Sequence, residues 1–248
     1  MDTSLVISGA IVLGAGGIFH LLENRIPLEK VDRSKFLKFD LVVVSIIAIV
    51  VAALTIWLLD GVVKEWLDST IGGFDTLTSL PILARVSLAL IIGDFGYYIV
   101  HRLMHTNVLW RTHVFHHSIQ EIYWFSGLRT SALNSLFIRM PYLVALCLFS
   151  IPASILAIVA ISLGVINFWV HSNLEVSLGP LNYILITPSF HRAHHSMAEE
   201  ALNRNFGNIL SCWDYMFKTA VKPTKYLNNS KKGFDVETND VPRQMFGL

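Results

Sequence analysis

The chain has 248 residues, 53% hydrophobic and 15% charged, with a formal net charge of +1. That composition fits neither a soluble globular domain nor a disordered chain, so much of the apolar surface is expected to face lipid. The near-neutral balance supplies no general basic field, which makes nucleic acid a poor partner.

From the N-terminus, apolar segments run from about Leu5 to Leu22 and from about Leu41 to Leu59. Each is close to the ~20 residues a helix needs to cross ~30 Å of hydrocarbon. Asp2, and no cation, precedes the first segment, and no small-residue cleavage pattern follows it, so it is expected to remain as an anchor. A third segment, about Leu80 to Val100, contains Arg85 and Asp94. The apolar stretch from Leu136 to Val170 is interrupted at Ser150-Ile151-Pro152-Ala153, a sequence suited to a tight hairpin between two helices. The predicted fold is an all-α integral membrane protein with about four or five transmembrane helices and a cytoplasmic helical cap.

Loop charges set the expected orientation. Arg25, Lys30, Arg33, Lys35 and Lys38 lie between the first two segments, whereas the next loop has Asp60, Glu65, Asp68 and Asp75 against Lys64 alone. The first loop is therefore expected on the cytoplasmic side, and with an odd number of spans the regions after His101 and after Ser172 share it. Cys147 and Cys212 lie far apart and suggest neither a disulfide framework nor a thiolate metal site.

The chemistry is carried by histidine. Nine of the ten histidines fall into four places: His101 and His105; His113, His116 and His117; His171; and His191, His194 and His195. In a helix, residues three and four apart share a face, so His101/His105 make one ligand pair and each HxxHH group makes a stripe of three imidazoles. His20 has no partner motif and is left outside the site. More than four imidazoles exceed what one tetrahedral zinc uses, so two metal ions are implied. Imidazole alone does not choose among iron, copper, nickel and zinc. HExxH is absent and no carboxylate stands between the histidines of any motif, which removes the general base of that class of zinc protease. Redox metal chemistry on an apolar substrate is favoured; a membrane zinc hydrolase, a metal transporter and a heme carrier stay as alternatives.

Asp94 lies seven residues before His101, nearly on the same helical face, and is a candidate to accept the second N–H of a ligand imidazole; pairing with Tyr97, Tyr98 or a buried water is the plainer reading. Asn167 and Glu175, four residues to either side of His171, are candidates to orient its ring. Arg129 is read as a residue that binds a lipid headgroup or carboxylate, or that snorkels at the interface. Trp110, Trp124, Trp169 and Trp213 are read as interfacial anchors.

These residues resemble the fatty acid hydroxylase and sterol desaturase superfamily of membrane di-iron proteins. The likeness runs from roughly Gly93 to Thr219 and rests on Asp94, YYIVHRLMH (Tyr97 to His105), LWRTHVFHHS (Leu109 to Ser118), TPSFHRAHHS (Thr187 to Ser196), and NRNFGNIL with WDYMF (Asn203 to Phe217). The resemblance implies two Fe ions, O2 as oxidant, a lipid substrate and a separate electron donor. It carries the ligand role to His101, His105, His113, His116, His117, His191, His194 and His195, with His171 as a further ligand. Many relatives have Gly where this chain has Lys218, which puts one local turn in doubt.

On this reading residues 1–92 form a transmembrane anchor region, 93–222 the catalytic domain with its hairpin at about 136–170, and 223–248 a loosely ordered tail. No heme-binding or CxxC-type spacing lies outside the core, so electrons are expected from a ferredoxin-like or cytochrome-like protein. The expected reaction is hydroxylation or desaturation of a lipid, with hydroxylation favoured. The expected location is a bacterial inner membrane, with the site on the cytoplasmic side.

Overall fold

The computed structural model describes residues 3–60, 66, 69–70, 78–234 and 240–248. The acidic loop residues Glu65, Asp68 and Asp75 used above for orientation lie outside the described residues. The chain is all-helical, with no strand among the described residues and three isolated β-bridges.

Two long helices come first, α1 (Thr3–Arg25) and α2 (Ser34–Asp60), followed by α3 (Ile82–Met104). Asp32 starts α2 by accepting from the Ser34 backbone N–H at 3.1 Å, and Pro81 precedes the first residue of α3. The one-turn α4 (Trp110–His113) leads through 3-10 turns at His116–Ser118 and Ser126–Leu128 to α5 (Ala132–Leu148). Ser131 caps α5 by accepting from the Asn134 N–H at 3.0 Å. The expected break then appears: α5 stops at Leu148, Ser150 adopts a left-handed φ of 49°, and Pro152 opens α6 (Ala153–His171). Short helices complete the chain: α7 (Pro188–His194), α8 (Cys212–Met216), α9 (Lys225–Asn229) and α10 (Val241–Phe246).

α3 and α5 form the most extensive helix pair, and α1 rests on α6. Their close approach needs Gly96, because a Cβ there would come within 2.7 Å of the Pro141 ring. Ala89, Ala145, Leu146, Phe149, Ile151 and Val159 fill the space between α3 and the α5–α6 hairpin. On the other side of α3, Leu83, Ile91, Ile92 and Ile99 stay exposed, a pattern suited to hydrocarbon. Among the described residues α3 is the one helix long and apolar enough to cross a membrane; Ala132–Leu148 and Ile158–His171 are shorter apolar helices.

The C-terminal segment corrects the expectation of a loose tail. Leu227, Asn228, Lys232 and Met245 are buried. Met245 joins a core cluster with Val43, Ile47, Val51 and Phe115, and Lys232 reaches the Glu29 carboxylate at 3.3 Å. The partners of this segment sit on α2 and the loop before it, about 200 residues away, so local composition gave no sign of them.

Candidate metal centre

Every motif histidine sits at the end of a helix or in the turn just beyond it. His101 and His105 close α3, His113 ends α4, His116 and His117 occupy the following 3-10 turn, His171 ends α6, and α7 with its C-cap carries His191, His194 and His195. Thr187 accepts from the Phe190 N–H, and Pro188 takes the first helical position, so α7 begins where its motif requires.

The nine rings separate into two groups. His101, His105, His113, His117 and His194 form one; His116, His171, His191 and His195 form the other; the ligand atoms of each group lie within 4.8 Å of one another. Each HxxHH motif is thus divided in the same way. The i and i+4 imidazoles (His113/His117 and His191/His195) share a group, and the i+3 imidazole (His116, His194) crosses to the other. The expected single stripe of three is therefore replaced by a crossover that ties the two groups together, with the His117 and His195 rings stacked at 4.5 Å.

Hydrogen bonds at the outer ring nitrogens fix which nitrogen faces inward. Nδ1 of His101 donates to the Phe206 carbonyl at 2.7 Å, that of His116 to the Arg129 carbonyl at 3.0 Å, that of His171 to the Asn167 carbonyl at 3.0 Å, and that of His194 to the Arg204 carbonyl at 2.7 Å. His113 donates to Asn134 Oδ1 at 2.6 Å and His105 to Asn203 Oδ1 at 3.2 Å. Carbonyl oxygens only accept, so these Nδ1 atoms carry the proton and the Nε2 atoms present lone pairs. Those lone pairs face each other at 3.0 Å between Nε2 of His101 and His113 and at 3.2 Å between Nε2 of His116 and His171, and Nε2 of His117 and His191 lie 3.0 and 2.9 Å from those of His194 and His171. His105 Nε2 and both nitrogens of His195 have no hydrogen-bond partner. Converging lone pairs and orphaned buried nitrogens are unfavourable in an empty cavity and are what a cation satisfies, so the donor set fits two metal ions of the kind imidazole binds.

Burial keeps the imidazoles in the neutral, ligating form. It holds His105 and His116 down to about 4, and with help from neighbouring imidazoles it holds His113, His117, His191, His194 and His195 well below the usual histidine range. A histidine whose folded value is depressed stays neutral in the fold while the unfolded chain takes up protons. Its contribution to stability is complete above about 6.5 and is lost as pH falls towards 4. Metal-free protein should therefore show a Tm that falls across that window; a Tm that stays flat from pH 7.5 to 4.5 contradicts this.

Asn134 fixes His113 most directly. It sits on α5 with its N–H capped by Ser131, and its Nδ2 donates to Thr130 Oγ1. Replacing it by Leu removes the acceptor of His113 Nδ1 and should weaken metal binding roughly 10–100-fold, read by competition with a chelator. Ring packing seals the clusters: Trp110 lies 5.3 Å from His105 and 5.3 Å from His117, and Phe206 lies 5.1 Å from His105. Of the nine histidines, eight are buried and His105 is half-buried.

The other candidates bring no side chain to the rings by hydrogen bond. Asp94 touches no histidine: its carboxylate accepts from Tyr142 Oη at 2.6 Å, from the Ile209 and Leu210 N–H groups at 2.9 and 3.0 Å, and from Trp213 Nε1 at 2.9 Å. Asn167 meets His171 through its backbone carbonyl, and Glu175 is exposed. Arg129 does not lie at a lipid interface. It is buried beneath Phe36 and Phe39, with Nε 2.5 Å from Asp40. Trp169 and Trp213 donate to the Ile186 carbonyl and Asp94, and Trp124 packs on Phe168, so all are tied to protein partners. His20 pairs with Arg33 on the surface, away from the clusters. At Lys218 the turn in question does form, with Lys218 itself at a left-handed φ of 59°, a conformation that favours glycine.

Arg192, inside the second HxxHH motif, was not singled out by its sequence. It is wholly buried, ion-paired to Glu29, and donates at 3.0 Å to both the Ile122 carbonyl and Asn173 Oδ1.

A family model described as fatty acid hydroxylase matches residues 86–219, a stretch that contains all nine cluster histidines. Over 130 residues the chain is 39% identical to an alkylglycerol monooxygenase of Xenopus tropicalis, covering 52% of this chain and 28% of that one. It is 32% identical over 146 residues to an ornithine lipid hydroxylase of Rhizobium tropici (58% and 44%), and 28% identical over 152 residues to a methylsterol monooxygenase of Rattus norvegicus (60% and 51%). The chain thus spans about a quarter to a half of the length of these curated relatives. No solved structure matches it. With the matched stretch covering more than half of its length and enclosing both histidine clusters, the chain belongs to the fatty acid hydroxylase family.

Proposed function

We propose that this protein is a membrane-bound di-iron oxygenase that uses O2 and external electrons to hydroxylate a lipid. The observation that carries the reading is the pair of all-imidazole clusters, five ligands and four, with lone pairs converging inside a sealed protein shell. Relatives whose names join a lipid to a monooxygenase or a hydroxylase support the substrate class.

The clusters would hold one iron each, and two irons supply the reductive activation of O2 needed to attack an unactivated C–H bond. The remaining work falls to the chain. The Phe206, Arg129, Asn167 and Arg204 carbonyls and the Asn134 amide keep the tautomer and direction of His101, His116, His171, His194 and His113. Burial keeps the rings neutral, and Trp110 and Phe206 exclude water from the inner nitrogens. The overall balance is one O atom into the C–H bond and one reduced to water, with two electrons and two protons from outside, so a ferredoxin-like or cytochrome-like donor is part of the proposal. So are a multi-pass topology in a bacterial inner membrane and a site on the cytoplasmic face.

A zinc hydrolase gains no support from the geometry, since both clusters contain only histidine among the described residues. Incubating membranes with 18O2 and extracting lipids separates the readings. The proposal expects one 18O in a new hydroxyl group, absent with His101→Ala. Label arriving from H2 18O instead would establish hydrolysis, and an alkene without label would move the assignment to desaturation.

A further inference from the structure

Two segments that carry no metal ligand place large apolar side chains on the outside of the protein. Leu181, Tyr183 and Ile184 belong to a 3-10 turn and its C-cap, and Met216 and Phe217 to the end of α8; they are 50%, 50%, 49%, 66% and 44% exposed. The two segments form one unit: the Ser211 N–H donates to the Ile184 carbonyl at 2.9 Å, Ser211 Oγ to the Asn182 carbonyl at 2.9 Å, and Tyr183 packs on Tyr215 at 5.1 Å. Water-facing caps rarely keep five such side chains together, and scattered single exposures are the ordinary case.

Where this unit sits decides what covers it. Phe217 stacks on Phe95 and Tyr98 of α3, at 5.9 and 5.4 Å, and Trp213 lies 5.0 Å from Phe95. Phe95 precedes His101 by six residues, about 9 Å along the helix axis towards the apolar middle of α3. On the neighbouring side Trp169, near the end of α6, donates to the Ile186 carbonyl at 2.9 Å. The unit therefore flanks two apolar helices below the level of the histidine clusters. Cations follow at its edge: Lys218 is exposed, Lys222 reaches over the Tyr183 ring at 5.6 Å, and Arg204 donates to the Lys218 carbonyl at 2.9 Å. Aromatic and aliphatic side chains rimmed by lysine and arginine match the boundary between acyl chains and phosphate headgroups.

We propose that the face formed by Leu181, Tyr183, Ile184, Met216 and Phe217 is bedded in one leaflet of the bilayer, as a membrane contact additional to the spanning helices. Three of the four hydrogen bonds of Asp94 lock the Ile209–Trp213 stretch to α3, which carries His101 and ends at His105. The depth of this face thus sets the height of the clusters above the leaflet, and with it which carbon of a membrane-anchored molecule can reach them.

Methionine oxidation tests this on the unmodified chain. By exposure in the protein alone, Met216 at 66% should react with water-soluble chloramine-T faster than Met197 at 47%, a cap residue bridged to the C-terminal segment. In phospholipid nanodiscs the order is expected to invert, with Met216 at least tenfold slower. A Met216 rate equal to or above that of Met197 overturns the proposal. A Met216→Cys variant with Cys147 and Cys212 replaced by Ala, labelled with a fluorophore, identifies the cover: quenching by doxyl-labelled phospholipid supports the leaflet. Protection without quenching would assign the face to a second copy of the chain and also overturn it. Neither readout depends on metal or turnover, so failure here leaves the oxygenase reading untouched.

Discussion

Substituting Gly127 by Ala is expected to lower lipid oxidation more than 100-fold and to reduce the metal content from two ions to one while the helices remain. Gly127 lies buried in the 3-10 turn before α5, and a Cβ there would overlap Cγ, Nδ1 and Cβ of His171. The turn cannot easily retreat, because Ser126 Oγ accepts from the Tyr123 N–H at 3.0 Å and the Arg129 N–H returns to the Ser126 carbonyl at 2.8 Å. The His171 ring must yield instead, leaving His116 at 3.2 Å and His191 at 2.9 Å without their common neighbour. A displacement of about 1 Å at a reacting centre is enough for a loss of 10²-fold. Metal analysis together with circular dichroism checks this; two ions with wild-type turnover would show that the close contact is not needed.

Asp94→Asn should produce the largest loss of stability. Asp94 accepts from four donors, two on each carboxylate oxygen. An Asn keeps one oxygen and turns an amide N–H2 towards the other pair, so two buried donors lose their acceptor. At about 1–3 kcal/mol for each of the two groups left unsatisfied, the cost is about 2–6 kcal/mol, or roughly 10 °C in Tm. The five-histidine cluster should suffer first, since the same loop supplies the Phe206 carbonyl that holds His101. Thermal unfolding in detergent and metal content read both effects, and an unchanged Tm would contradict the account.

These two residues show what a sequence makes legible here. That nine histidines gather in one region was legible because imidazole is a side-chain identity and the residues recur in short motifs. The crossing of His116 and His194 was not, because it depends on how the ends of separate helices meet: His116 crosses from a 3-10 turn and His194 from an unbroken α7. The acceptors that orient the rings are mostly backbone carbonyls, at Phe206, Arg129, Asn167 and Arg204, and leave no trace in residue type. The carboxylate that holds Arg129 was not legible because Asp40 is 89 residues away, nor was the role of Arg192, whose partner Glu29 is 163 residues away. Asp94 drew notice as a carboxylate in an apolar helix, yet its donors lie near residues 142 and 209–213, distances no helical periodicity reaches. The hairpin at Ser150–Ala153 was plain because proline and a polar residue interrupt an otherwise continuous apolar run.

The most direct test of the central claim is metal analysis with Mössbauer spectroscopy on iron-57-enriched protein purified in detergent. The account predicts two irons per chain in a coupled pair, with His194→Ala disturbing the five-histidine cluster and His195→Ala the four-histidine one. A single zinc per chain with no iron would contradict it.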